Sequence, residues 1–568
     1  MKPVKFSEKL NSSRSWKLLA AVLLNAVFLA CTLLIVNVGF EANDDLSLAA
    51  FVDGQMTESS AHIPYINIVL GCILKGIYTV LGQSAAWHTI GQYLLLFMGF
   101  CCVSFVLFDR LRPYQAAEVS LVLLLFFGVD VYTLISYTKT AAVCTVGGMI
   151  LLLHTMENME KGSRLLPVIL GAVLCLFGFM LRPMEFLPCF ALMAVLALRW
   201  LYALLFREKG SLGDKAKAFV RYAVPFVSVL VLAAALHFVN EAAWSGERWS
   251  FYHEFDAVRV AYSDYGRPAY EEMPEAYEAL GLSETSVQLL GEGNYFDPDV
   301  FTAELMANIS RVRDEAFPPP SAGECLGSFL DKCIPGFFVN LHVYGFLLIL
   351  ALWLACGEHG LRDWLTLAGA CGLFALLYMY LIYRGRYMVD RVDVGLFFAV
   401  SAAAAYMLSR EKLDREKLLT AFVLLLAIGT SYYLTRDNYR GSREDLSAER
   451  AAVDTLLADT EHVYLAKLDT VNDRIYSPFE PAGKGYWDRI VLLGGWDCNH
   501  PVIMDNLKRV GVENPYRDSV GNEKVYFIED DIELTLRHIR EFYDSDATAE
   551  LVEPLSAETG LSIYRILA

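Results

Sequence analysis

The chain has 568 residues, of which 55% are hydrophobic and only 20% charged, and Asp plus Glu exceed Lys plus Arg by 18. Soluble proteins are about 45–50% apolar, nucleic-acid binders carry a basic footprint, and disordered chains lack this much apolar matter, so all three are excluded. A polytopic membrane protein remains.

A run of about 20 apolar residues crosses a hydrocarbon core of roughly 30 Å as a helix. Eleven such spans are predicted, near 17–39, 87–108, 116–135, 139–156, 165–181, 186–206, 221–240, 336–356, 363–383, 391–409 and 417–435. The first follows Lys2, Lys5, Lys9, Arg14 and Lys17 and runs on with no small-residue cleavage site, so it reads as a signal anchor. The short "FLAC" at Phe28–Cys31 lies inside that run and gives no lipidation site. Segment 63–82 is different, because Asn67, Gly71, Lys75 and Thr79 draw a polar stripe down one face of an apolar helix, with Pro64 suited to its first turn. A lysine at mid-membrane costs about 2.5–3.5 kcal/mol on insertion scales, so this helix is placed at the interface.

With 63–82 left outside, the connections bearing Arg110/Arg112, Lys161/Arg164, Arg207–Arg221 and Arg410–Lys417 all fall on the side of the basic amino terminus, as the positive-inside rule requires. Segments 40–62, 241–335 and 436–568 carry net charges of −5, −12 and −11, leaving +10 for the rest. The three acidic segments are therefore expected outside the cytoplasm. Residues 241–335 hold aromatic and acidic clusters, Pro318–Pro320 and a helix-like stretch near 299–315, which suggests a folded loop. In 436–568, strand-like "HVYLAKL", "RIVLLGG", "KVYFIED" and "LSIYRIL" alternate with amphipathic "IELTLRHIREFY", the pattern of a small α/β domain.

Most of the 12 cysteines sit in spans and act as small apolar residues. Cys325 and Cys333 share an external loop, either as a disulfide or as two reduced thiols, and no cysteine or histidine pattern has zinc spacing.

Several charges sit where the membrane makes them costly. The first external loop opens with "GFEANDDLSLAAFVDG", which puts Asp44 and Asp45 at the membrane surface. They read either as functional carboxylates or as an N-cap for a helix over 45–53. Arg182, with Glu185, leaves the fifth span outward. "YRGRYMVDRVD" brings Arg384, Arg386 and Arg391 to the outer ends of the ninth and tenth spans, beside Asp390 and Asp393. Guanidinium forks bind phosphate bidentately and a lipid phosphate lies at this depth; the alternative is ion pairs that pin the turns. Lys139 is another outward cation, for phosphate or for snorkelling to the interface. His62, His253 and Glu254 reach the same space, as substrate-lining groups or as solvated loop residues.

The layout of one span, an external loop opening on "NDD", an interfacial helix, further spans and a second large loop resembles the GT-C superfamily of membrane glycosyltransferases, over roughly residues 15–435. The resemblance implies an α-helical polytopic protein with a GT-C-like transmembrane domain over 1–435, including external loops 40–86 and 241–335; beyond it, strand–helix alternation and negative charge predict an extracytoplasmic α/β accessory domain over 436–568. It implies a sugar donor on polyprenyl phosphate, transfer with inversion to a cell-envelope glycan, lipid or protein acceptor, and Asp44 or Asp45 as catalytic base or as ligand to a divalent cation such as magnesium or manganese. The chain lacks a "WWDYG"-like motif, which disfavours protein N-glycosylation. The arginines with Lys139 as donor-phosphate ligands, and His62, Glu185, His253 and Glu254 as lining, follow from charge and position. A polysaccharide or lipid transporter would show broken helices or repeat symmetry, and a membrane scaffold or sensor would use 436–568 for a partner and leave the spans inert.

Overall fold

The computed structural model describes residues 14–41, 44–56, 58–158, 165–206, 211–356, 359–386, 389–408, 415–435, 446–467, 475–480, 486–556 and 560–568. The basic residues Lys2, Lys5, Lys9, Lys161, Arg164, Arg207 and Arg410 lie outside them. Each predicted span contains a helix, although 17–39 leaves its helix after Ile35 and 116–135 ends in a strand, and length and hydropathy divide the helices. Eight of the described helices are long and apolar enough to cross a membrane, and a ninth span arises if Ala322–Phe337 and Leu341–Ala355, bent by 94°, count as one. Eight or nine of the eleven expected spans meet that criterion among the described residues. Leu165–Leu181 has 17 residues and Leu341–Cys356 has 16, about 24–26 Å at roughly 1.5 Å per residue. The third span is interrupted by a π-helical turn at Leu124–Gly128 before it ends at Thr133.

The helix Tyr137–Glu157 is the hub of the bundle, buried from Tyr137 through Met156. It packs against Trp87–Arg110, Leu165–Leu181, Pro183–Phe206 and Asp390–Leu408. Small residues permit this closeness: a Cβ on Gly147 would stand 2.6 Å from the Gly99 carbonyl oxygen, and one on Gly148 2.5 Å from that of Gly171. Polar groups inside the bundle find partners. Asn25 Nδ2 donates to Ser104 Oγ at 2.9 Å, and Arg199 pairs with Asp363. At one end Lys17 meets Asp109 at 3.0 Å, His154 meets Asp109 at 2.8 Å and Arg110 meets Glu157 at 3.2 Å. The candidate site lies at the other end, about 30 Å away along the hub helix.

The 63–82 segment begins its helix at Ile68, capped by Asn67, and ends at Leu81 after 14 residues, about 21 Å and too short to span. Pro64 precedes it, next to Tyr65 at φ +64°. Its polar stripe is divided: Asn67 is buried and Gly71 is pressed against the Ala61 carbonyl, while Lys75 and Thr79 are exposed, with Lys75 Nζ donating to the Ser59 carbonyl at 2.8 Å.

Two short strands, β1 (Gly39–Phe40) and β2 (Leu134–Ile135), pair in parallel and tie the first loop to the start of the hub helix. The carboxyl-terminal region contains a five-stranded sheet in the order β4-β3-β5-β7-β6. It consists of parallel β3 (Val463–Ala466), β4 (Ile490–Leu492) and β5 (Val525–Glu529), with antiparallel β6 (Thr548–Pro554) and β7 (Ser562–Leu567). Four of these strands match the expected ones; six of the seven residues of β6 are exposed and it carries no apolar alternation, so nothing in its sequence marks it as a strand.

The sheet region is clamped to the large loop. His538 Nε2 lies 2.8 Å from Asp297 Oδ2, with both side chains fully buried, while Asn514 Nδ2 and the Tyr543 hydroxyl donate to Asp297 Oδ1 at 2.8 and 2.7 Å. The loop's expected helix is Ala303–Ala316. Cys325 and Cys333 are free, buried thiols, so the disulfide alternative is not realised.

Candidate active site

The helix Asp44–Asp53 begins close beyond β1, and its two leading carboxylates turn to different tasks. Asp45 is 1% exposed. Its Oδ1 accepts from Gln92 Nε2 at 2.8 Å and from the Tyr137 backbone N–H at 3.1 Å, with His88 Nε2 at 3.6 Å. The Tyr137 N–H is one of the donors that a helix leaves unpaired at its start. Asp45 is thus a cap, but for the hub helix and not for its own.

Asp44 is freer, with 14% of its side chain exposed. Arg391 Nη1 approaches its Oδ2 at 3.3 Å, and the indole N–H of Trp496 donates to its Oδ1 at 3.1 Å. One ligand comes from the helix Asp390–Leu408, the other from the loop after β4. Arg182 completes this corner by donating to the Tyr137 hydroxyl, with its guanidinium 4.9 Å from the Tyr137 ring and 5.9 Å from the Tyr65 ring. Tyr65 meets Trp496 edge-on at 5.8 Å and accepts from Arg259 Nη2 at 2.7 Å.

The loop Gly494–His500 was not singled out by sequence reading. Its Trp496 carbonyl accepts from the Tyr252 hydroxyl at 2.8 Å, and His500 Nε2 lies 3.2 Å from the His62 carbonyl. Burial pushes the Asp497 carboxyl up to about 7, held back by a backbone hydrogen bond and Arg259 and reinforced by the charge of Asp44. Burial pushes His500 down to about 3. The signal available in sequence was "GGWDCNHP", a turn-forming run with Trp and Asp that ends in His500, which caps the helix Pro501–Lys508 by accepting from the Val502 N–H at 3.3 Å.

The other predicted residues separate. Lys139, 1% exposed, sits 2.5 Å from Asp130 and 3.2 Å from Glu41. Its charge is already matched by two carboxylates, so neither snorkelling nor an open phosphate ligand describes it. Glu185 is buried against Gly395 and takes a weak hydrogen bond from Cys189 Sγ at 3.6 Å. His62 stacks on Trp249 at 3.9 Å, His253 pairs with Glu241 at 3.4 Å in an exposed position, and Glu254 is exposed. Arg384 and Arg386 turn away from Asp44: Arg386 pairs with Asp264, and Arg384 stacks on Tyr265 at 4.3 Å. The four arginines therefore form two groups, Arg182 with Arg391 and Arg384 with Arg386.

A divalent cation of the magnesium kind is bound by oxygen ligands. Here the oxygens of Asp44 and Asp45 face N–H donors and a guanidinium, and among the described residues no three His, Cys, Asp or Glu side chains gather as a metal set. The residues do not fit such an ion, and no chemistry is routed through one.

No family model matches the chain, and no curated protein matches it. A similar solved structure is the crystal structure of ArnT from Cupriavidus metallidurans bound to undecaprenyl phosphate, at 12% identity over 98% of each chain with a TM-score of 0.34. A superposition this loose carries no argument about fold or activity.

Proposed function

We propose that this protein is an inverting membrane glycosyltransferase that takes a sugar from a polyprenyl-phosphate donor, with Asp44 as the general base. One observation carries the reading: a partly exposed carboxylate at the end of a membrane bundle, held between a guanidinium and an indole N–H, with a second guanidinium nearby. An acceptor hydroxyl oxygen bonds to the sugar C1 as the bond from C1 to the phosphate oxygen breaks. The electron pair leaves on the phosphate, and the hydroxyl proton passes to Asp44. A carboxylate is too weak a base to deprotonate an alcohol in the ground state and accepts that proton only as the new bond develops. Arg391 and Arg182 face the charge that accumulates on the departing phosphate, while buried Asp45 keeps the hub helix and the Asp44 helix in register.

The acceptor is a cell-envelope glycan, lipid or protein. The amino terminus is cytoplasmic, and the site, the large loop and residues 436–568 are extracytoplasmic, as the distribution of Lys and Arg supports. Cysteines introduced singly at Ser163 and at exposed Ser545, with the native cysteines replaced, label from opposite sides of the membrane; labelling from one side contradicts the topology.

Trp496→Phe keeps the ring and removes the N–H that holds Asp44. A hydrogen bond to a charged group contributes about 1.5–3 kcal/mol, so kcat falls on the order of ten- to a hundredfold while donor KM and unfolding temperature stay near those of the parent. An unchanged kcat removes Trp496 from the site. The reading as a whole is tested by transfer of radiolabelled sugar from polyprenyl phosphate, and a scaffold or transporter of the same shape gives none.

A further inference from the structure

Between the large loop and the end of the spanning helix Leu361–Tyr383 lies an open cavity of about 510 Å³. This is within the roughly 300–1,000 Å³ of small-molecule sites. Its walls include three aromatic rings, Tyr265, Phe317 and Tyr383, and three guanidinium groups, Arg267, Arg313 and Arg384. Two of the cations are engaged by the fold. Arg313 Nη1 donates to the Ala261 and Gly266 carbonyls at 2.9 and 3.1 Å, and its guanidinium pairs with Asp314. Arg267 donates to the Gly291 carbonyl at 2.8 Å and the Ser263 carbonyl at 3.3 Å. The wall's carboxylates are engaged as well: Asp314 by Arg313, and Glu272 by the Ala269 N–H at 2.7 Å.

Arg384 is different. Among the described residues its guanidinium has no ion pair and no hydrogen bond, only the face of Tyr265 at 4.3 Å. Stacking orients the fork and leaves its N–H edge available for an oxyanion. Aromatic faces with a planar cation at their edge suit a ring that is apolar on its C–H face and carries an acidic substituent. We infer that this cavity binds a saccharide bearing a phosphate or carboxylate group, the acceptor of the proposed transfer. The inference rests on the glycosyltransferase reading only for the word acceptor; the binding site stands on the cavity itself.

The test uses the full-length protein in nanodiscs, with glucose 6-phosphate and glucuronate as probes and neutral glucose as the comparison, read by saturation-transfer NMR. The acidic sugars bind in preference to glucose. Arg384→Gln and Tyr265→Leu, both at the surface of the cavity, each weaken that binding about tenfold without shifting the unfolding temperature. Undecaprenyl phosphate binding responds to Arg391→Gln and not to Arg384→Gln. The inference is overturned if neither acidic sugar binds, if binding ignores both cavity variants, or if phosphatidylglycerol in the disc displaces the probes as well as unlabelled probe does, which marks a lipid headgroup site. If Arg384→Gln abolishes undecaprenyl phosphate binding, the cavity belongs to the donor. If Arg391→Gln leaves undecaprenyl phosphate binding intact, the donor reading fails while the saccharide site stands.

Discussion

Lys139→Met is expected to lower the stability of the protein by roughly 3–5 kcal/mol, the usual cost of removing one partner from a buried ion pair. The ammonium lies between Asp130 and Glu41, and its loss removes the cation that both carboxylates contact. Glu41 has a proton-dependent escape. Burial pushes its carboxyl up to about 7 despite Lys139, so the folded state binds a proton more readily than the unfolded chain. A raised acid favours the folded state at low pH and loses that advantage as the pH climbs from about 4.5 towards 7. The deficit of Lys139→Met is therefore larger at pH 8 than at pH 6, as thermal unfolding in detergent reads it. A triple variant with Asp130→Asn and Glu41→Gln recovers much of the loss, because the unpaired charges are gone. Equal stability of Lys139→Met and parent at both pH values would show that the triad is not the clamp between β1 and the hub helix.

Asp44→Asn and Asp45→Asn separate catalysis from capping within one dipeptide. Asn at 44 retains an oxygen for Trp496 and the side-chain shape but cannot take a proton, so folding is kept and kcat falls by about 10²–10⁴-fold, the usual contribution of a general base. Asn at 45 turns an amide N–H towards the donors of Gln92 or Tyr137, and a buried donor left without an acceptor costs about 1–3 kcal/mol. Asp45→Asn accordingly lowers the unfolding temperature, and any loss of activity follows the loss of folded protein. The opposite assignment, with Asp45→Asn folded and inactive and Asp44→Asn active, contradicts the geometry of both residues.

Much of the molecule was legible because membranes constrain sequence strongly. Helix positions followed from apolar runs, and the first-loop helix and four of five carboxyl-terminal strands followed from periodicity. Span count was less legible: a bend of 94° between Phe337 and Leu341 is set by packing in three dimensions, and nothing in the hydropathy of that stretch marks it. The site divided in the same way. Asp44 and Arg391 were visible as charges in costly places, but their partnership joins residues 347 apart in sequence. Trp496 joins Asp44 across 452 residues, a contact that depends on the docking of the sheet region, to which the Asp297–His538, Tyr252–Trp496 and His62–His500 contacts all contribute. Asp45 could not be told from Asp44 by composition, because the Tyr137 N–H that it caps belongs to another helix. Lys139 looked like a free cation for the same reason: one of its two partners, Glu41, lies across the β1 to β2 pairing.

Asp44 as the base in transfer from a polyprenyl-phosphate sugar is tested directly by one measurement. Purified protein in liposomes, loaded with polyprenyl phosphate carrying a radiolabelled sugar and supplied with cell-envelope glycolipid extract, is followed for label leaving the donor and for the anomeric configuration of the product. The expected result is transfer by the parent with inversion at C1, and transfer by Asp44→Asn reduced by at least about a hundredfold at an unchanged unfolding temperature. Retention of the anomeric configuration, or full transfer by folded Asp44→Asn, would contradict it.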